Sequence, residues 1–130
     1  MRAKFIYESV ESYLEPKSDD EIINLMSNLS KRELDEKLLS YVYIKNPNIC
    51  KLLIKADADV NAKTINGYTA LHYASIIGSE QIVKILIEAV ADINIKTIFG
   101  HTALNRAFIN WNMKVYKLLK SYRVKKWELN

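Results

Sequence analysis

The chain has 130 residues, 49% of them apolar and 26% charged, which fits one compact globular unit and leaves no room for two large ones. Three Gly and two Pro exclude a turn-rich all-β protein and a disordered tail, and a single cysteine, Cys50, excludes an internal disulfide. The formal charge of +4 is unevenly spread: residues 1–40 hold nine acids and six bases, whereas residues 41–130 hold six acids and thirteen bases.

In chain order, the first apolar pattern is Ile6, Val10, Tyr13 and Leu14, a short amphipathic helix predicted near 5–15 and stopped by Pro16. Acids inside this pattern distinguish it from a signal peptide. No apolar run reaches the roughly 18 residues that a membrane-spanning helix needs. Ser18 and Glu21 have capping-box spacing and open a second helix near 20–28, with Ile22, Leu25, Met26 and Leu29 as its stripe. Residues 1–30 are read as an N-terminal helical cap. Ser30 and Glu33 repeat the capping-box spacing before a helix at 32–44, striped by Leu34, Leu38, Tyr41 and Val42; another helix is predicted at 48–56.

From there the chain repeats itself. Displaced so that Thr64 falls on Thr97, TINGYTALHYASIIGSEQIVKILIEAVADINIK (64–96) matches TIFGHTALNRAFINWNMKVYKLLKSYRVKKWEL (97–129). The same displacement sets ICKLLIKADADVNAK (49–63) on IVKILIEAVADINIK (82–96). Gly67 meets Gly100, Ala74 meets Ala107, and Thr69-Ala70-Leu71 meets Thr102-Ala103-Leu104. Within one period, Asn66-Gly67 is a turn signal and Thr69 sits where a helix N-cap belongs. Leu71, Ala74 and Ile77 recur at helical spacing, Gly78 closes that helix, and residues 82–87 give a second helix a broad apolar face. The pattern predicts helices at 70–77, 81–89, 103–110 and 114–122. A helix pair this short cannot bury its own apolar face, so neighbouring pairs must stack in an all-α fold. The units are 31–63, which lacks the Gly-x-Thr opening, then 64–96, then 97–130, the last doubling as a C-terminal cap.

The stretch Gly67-x-Thr69-Ala70-Leu71-His72, with Ile82-Val83-Lys84 and Ala91-Asp92-Ile93-Asn94, resembles the ankyrin repeat family, specifically over about 49–119. Ala70 and Ala103 depart from the family's Pro, Asn105 from its His, and Asp57 and Val90 from the Gly that ends its second helix. The resemblance implies stacked ankyrin repeats forming a non-catalytic protein-interaction module, a monomer by itself, in which His72 is structural. The Ile/Lys/Asn-rich character is similar to small ankyrin proteins of obligate intracellular bacteria, some thought to act on host proteins. The implied location is the cytoplasm or, after export, a host cell.

The residues offer no constellation for catalysis, so no enzyme activity, cofactor or metal is expected. His72 and His101 are the only histidines, and no His or Cys pair has metal-ligand spacing. There is no glycine-rich phosphate loop. Asp59 and Asp92 align with each other and read as turn residues; Cys50 aligns with Val83 and reads as a small buried hydrophobe.

In the ankyrin family, partners bind at hairpin tips and at exposed positions of the first helices, on a concave surface. Carried over through the matched motif, these positions are Lys63, Ile65, Asn66, Tyr68, Ile76 and Ile77, then Lys96, Ile98, Phe99, His101, Ile109 and Asn110, with Tyr43 and Ile44 from the degenerate unit. Most are apolar although such positions are free to be polar, which suggests an interface for a protein partner. The alternative is a nucleic-acid or acidic-surface binder using Lys114, Lys117, Lys120 and Arg123, which recur every three residues. Aromatics are not interleaved there in a recognisable module, so nucleic acid is the weaker expectation. A salt titration separates the two readings, because phosphate contacts weaken steeply with salt. A regulatory piece of a larger enzyme is a third reading, against which Met1 and the capped ends are expected to count.

Overall fold

The computed structural model describes residues 18–128, so the helix expected at 5–15 lies outside the described residues. Among them are seven helices and no strand. They are α1 (Asp19–Met26), α2 (Lys31–Tyr43), α3 (Pro47–Lys55), α4 (Ala70–Ile77), α5 (Glu80–Glu88), α6 (Ala103–Ile109) and α7 (Met113–Glu128).

Side-chain caps start most of these helices. Ser18 and Glu21 form the full reciprocal box at α1, each bond 3.3 Å. At α2 the box is half made: Ser30 Oγ accepts from the Glu33 amide at 3.2 Å. Asn46 and Ser79 accept from the Ile49 and Ile82 amides, which satisfies an otherwise orphaned donor at α3 and α5.

The helix ends carry the period into the backbone. Lys45, Gly78 and Trp111, one period apart in turn, all have positive φ, at 68°, 75° and 59°. Asp57 and Val90 do likewise at 80° and 64°. After Glu88, the Val90 amide donates to the Ile87 carbonyl and the Ala91 amide to the Leu86 carbonyl, at 2.9 and 3.0 Å. That pair of bonds is a Schellman closure, which needs a left-handed residue at Val90. Asp57 and Ala58 make the same two bonds to Ile54 and Leu53. The geometry thus repeats where the favourable Gly does not.

The helices stand in two rows. α2, α4 and α6 pack in sequence as an inner row, while α1, α3, α5 and α7 form an outer row. α1 lies against α3 and so takes the place of an outer helix at the start of the stack. The core runs between the rows through Leu34, Leu38, Val42, Leu53, Leu71, Ile82, Leu86, Val115 and Leu119. Ala74 and Ala107 are fully buried where α4 meets α6, their small side chains allowing close approach. Cys50 is also fully buried, and desolvation pushes its thiol up to about 11, so it is an inert packing residue.

Two sequence expectations are corrected by the packing. Leu104, whose alignment with Leu71 predicts a place in the inter-repeat core, is only half-buried because no further helix pair among the described residues covers it. α7, expected to end near 122, continues to Glu128. Arg123, Lys125 and Trp127 stand where Val90, Asp92 and Asn94 end α5 and make its turn, so that turn chemistry is missing and the helix continues.

Candidate partner-binding surface

Hairpins project between the helix pairs and hold one another in register. In each, the Gly amide closes the turn onto Thr64 or Thr97, and the Thr amide pairs with the Tyr68 or His101 carbonyl, all at 2.9 Å. The Ile98 amide then donates to the Asn66 carbonyl of the preceding hairpin at 3.0 Å. A Cβ on Gly67 would lie 3.1 Å from the Thr97 Cα, so this close approach calls for glycine. Further along, Asp59 and Asp92 accept from the Asn61 and Asn94 amides at 2.9 Å, and the Asn61 side chain accepts from the Asp92 amide at 2.8 Å. Both aspartates are turn residues holding one unit to the next.

His72 ties the second hairpin to the third. The Thr69 amide donates to its Nδ1 at 3.1 Å, so Nδ1 is an acceptor and the proton lies on Nε2, which donates to the His101 carbonyl at 3.0 Å. Burial lowers its pKa below 6.5 and keeps the ring neutral. Asn105 replaces this arrangement in the last unit: its Oδ1 accepts from the Thr102 amide at 2.9 Å, and the Asn105 amide donates to Thr102 Oγ1. An Asn suffices there because, among the described residues, no following hairpin lies within reach of a second nitrogen.

Fixed in this way, the hairpins expose apolar side chains. Ile65 is 97% exposed at one tip; Ile98 and Phe99 are 65% and 63% exposed at the next. Tyr43, Ile44 and Ile109 are also exposed at the ends of inner helices. Tyr43 and Ile44 join Leu39, Ser40 and Tyr73 around an open depression of about 480 Å³ between α2 and α4. Tyr68 and Ile76 are half-buried. Ile77, expected in the groove, instead packs against the core. His101, expected to be exposed on the hairpin, is half-buried, and its Nδ1 is shut from solvent without a hydrogen-bond partner.

An aromatic ladder crossing the inner row escaped the sequence reading. The Tyr43 ring meets Tyr73 edge-on at 6.3 Å, Tyr73 meets Tyr68 at 5.6 Å, and the Arg106 guanidinium lies 5.5 Å from the Tyr68 ring centre. Tyr73 and Arg106 are one period apart, at the position following His72 and Asn105. The only available signal was that shared register.

The basic residues of α7 do not form one stripe. Lys114, Lys117, Lys120 and Arg123 are all exposed, but steps of three residues fall about 60° short of a full turn. The four therefore wind across half the helix, with Lys114 and Arg123 on opposite sides. Lys120 Nζ sits 5.7 Å from the Tyr116 ring centre, whereas Arg123 lines a different recess beside Lys96. Among the described residues, ion pairs occur only at Lys31–Asp57 and Arg32–Glu36, both in the N-terminal half.

Two rows of short helices joined by projecting, mutually bonded hairpins define a helical repeat solenoid. The model of the family described as ankyrin repeats (3 copies) matches residues 38–129, and the chain belongs to the ankyrin repeat family. Ankyrin repeats are generally protein–protein interaction modules. No curated protein matches the chain. No helix among the described residues is long and apolar enough to cross a membrane.

Proposed function

We propose that this chain is a monomeric, non-catalytic module of three units, 31–63, 64–96 and 97–130, that captures a protein partner on its inner row and hairpin tips. The observation that carries this reading is the exposure of Ile65, Ile98 and Phe99 on hairpins whose backbones are hydrogen-bonded to each other. Exposed apolar groups on a rigid scaffold lose little conformational freedom when a partner covers them. Tyr43, Ile44, Tyr68, Ile76, His101 and Ile109 extend the surface, and Tyr73 joins it through the aromatic ladder. The site of action is the cytoplasm or, after export, a host cell.

Pull-down with wild-type protein and with Phe99→Ser tests this reading, with circular dichroism to verify folding. Loss of captured partners from a folded Phe99→Ser protein supports the groove. Unchanged capture by Phe99→Ser, together with loss on replacing Lys117 and Lys120, refutes it.

A further inference from the structure

The outward end of the last helix pair presents a second surface. Leu71 is 1% exposed and Ser75 is fully buried because α6 lies over them. Their counterparts one period on, Leu104 and Phe108, have no such cover among the described residues: Leu104 is half-buried and Phe108 is 57% exposed. A terminal repeat ordinarily turns a polar face to solvent. Here that face keeps apolar side chains, and beside them is a recess of about 160 Å³. Ile93, Leu104 and Leu119 form its apolar walls, with Lys96 and Arg123 among its other lining residues. An apolar cavity of roughly 150 Å³ holds a benzene-sized group, so this recess takes one aliphatic or aromatic side chain.

The charge around it defines the occupant. Lys96 and Arg123 both line the recess and, among the described residues, no carboxylate does, nor does any acid stand in the sequence between Asp92 and Glu128. Two such faces set end against end would oppose like charges, which disfavours a symmetric second copy. A segment rich in Asp and Glu complements the same field and is steered toward it.

We propose that this end of the stack docks an acidic segment of another protein, which inserts one apolar side chain between Leu104 and Leu119 and pairs flanking carboxylates with Lys96 and Arg123. Nucleic acid matches the charge, but the aliphatic recess offers its bases no flat stacking platform. Lys96 adjoins the third hairpin, but Leu104, Leu119 and Arg123 lie outside it, so Arg123→Glu and Phe99→Ser let each site fail without the other.

The test is selection of random 12-residue peptides from a display library against the wild-type chain. Retained peptides are then titrated by fluorescence polarisation against wild type, Lys96→Glu, Arg123→Glu, Phe99→Ser and Lys117→Glu, each verified by circular dichroism. Lys96 and Arg123 are exposed, so their substitution leaves the fold intact. The expected outcome is enrichment of net-negative peptides with a single apolar anchor. Their affinity falls tenfold or more with Lys96→Glu or Arg123→Glu, and on replacing the anchor by Ser, while Phe99→Ser and Lys117→Glu leave it within about twofold. Peptides without acidic bias, or acidic peptides indifferent to Lys96 and Arg123, overturn the proposal. So does a 20-nucleotide oligouridylate that binds more tightly than the peptides with the same dependence on Lys96 and Arg123. Concentration-dependent self-association in sedimentation that Arg123→Glu abolishes also overturns it, by assigning the face to a second copy.

Discussion

Val90 adopts φ 64° and is 82% exposed, after α5 ends. The left-handed region costs an L-residue roughly 1–2 kcal/mol, and β-branching places Val toward the upper end. Val90→Gly removes that cost. It also frees the unfolded chain by about 0.5–1 kcal/mol, which offsets part of the gain. Little else changes, because so exposed a side chain contributes little burial and the two Schellman bonds are made by backbone. The net expectation is a stabilisation of about 1 kcal/mol, or roughly 4 °C in midpoint for a domain of this size. Val90→Ala separates the contributions: it relieves β-branching but retains Cβ, and should give an intermediate gain. Thermal and urea unfolding by circular dichroism measure all three proteins. A Val90→Gly midpoint at or below that of wild type would refute the reasoning and show that the left-handed closure is not strained. Equal gains from Ala and Gly would assign the strain to branching alone.

The buried network and the exposed tips should respond differently. Leu71→Ala is expected to cost about 2–5 kcal/mol as a full core truncation, whereas Leu104→Ala, half-buried at the open end, should cost about half as much; urea midpoints compare them. Asn112 Nδ2 lies 2.7 Å from both the Ser75 and Ile76 carbonyls at the end of α4, so Asn112→Ala should cost about 1–3 kcal/mol in the same assay. His72 has a folded pKa below its ordinary 6.5, so the unfolded state takes up the proton first as pH falls. Its stabilising contribution is complete above pH 6.5 and is lost progressively as pH falls below that value toward the folded pKa. His72→Asn, which copies the last unit, should be less stable at neutral pH and show a flatter stability profile between pH 7 and 5 (about one proton's linkage). An unchanged slope would mean that His72 is not the titrating group.

The repeated interior was readable from sequence because each of its interactions is satisfied within one period or between adjacent periods. Thr69, Gly67 and Ala74 recur one period on as Thr102, Gly100 and Ala107, and the N-cap, the positive-φ turn and the buried small side chain recur with them, so an alignment of the chain with itself carries these local roles along with the identities. Asn112 shows where that transfer breaks down. It aligns with Ser79 and Asn46, whose side chains cap their own helices; the Asn112 amide instead reaches back across the stack to the carbonyls ending α4. The alignment indicates a cap, and only the packing reveals its length and direction.

The ends of the stack follow the same logic with the neighbour removed. Leu104 aligns with Leu71 and Phe108 with Ser75, yet both pairs differ in burial because exposure is a property of what lies on top, which self-alignment assumes to be constant. The hairpin tips are less affected, since their exposure depends on the turn within one unit; Ile65, Ile98 and Phe99 therefore project as their positions in the motif imply. Ile77 and His101 fall between these cases, because a neighbouring group reaches each: Ile77 packs against the core, and the His101 carbonyl is held by His72. A repeat motif thus specifies the backbone and the interior of such a chain closely. The surface that distinguishes one such protein from another lies in the side chains at the tips and at the uncovered ends, where periodicity places no demand on residue type.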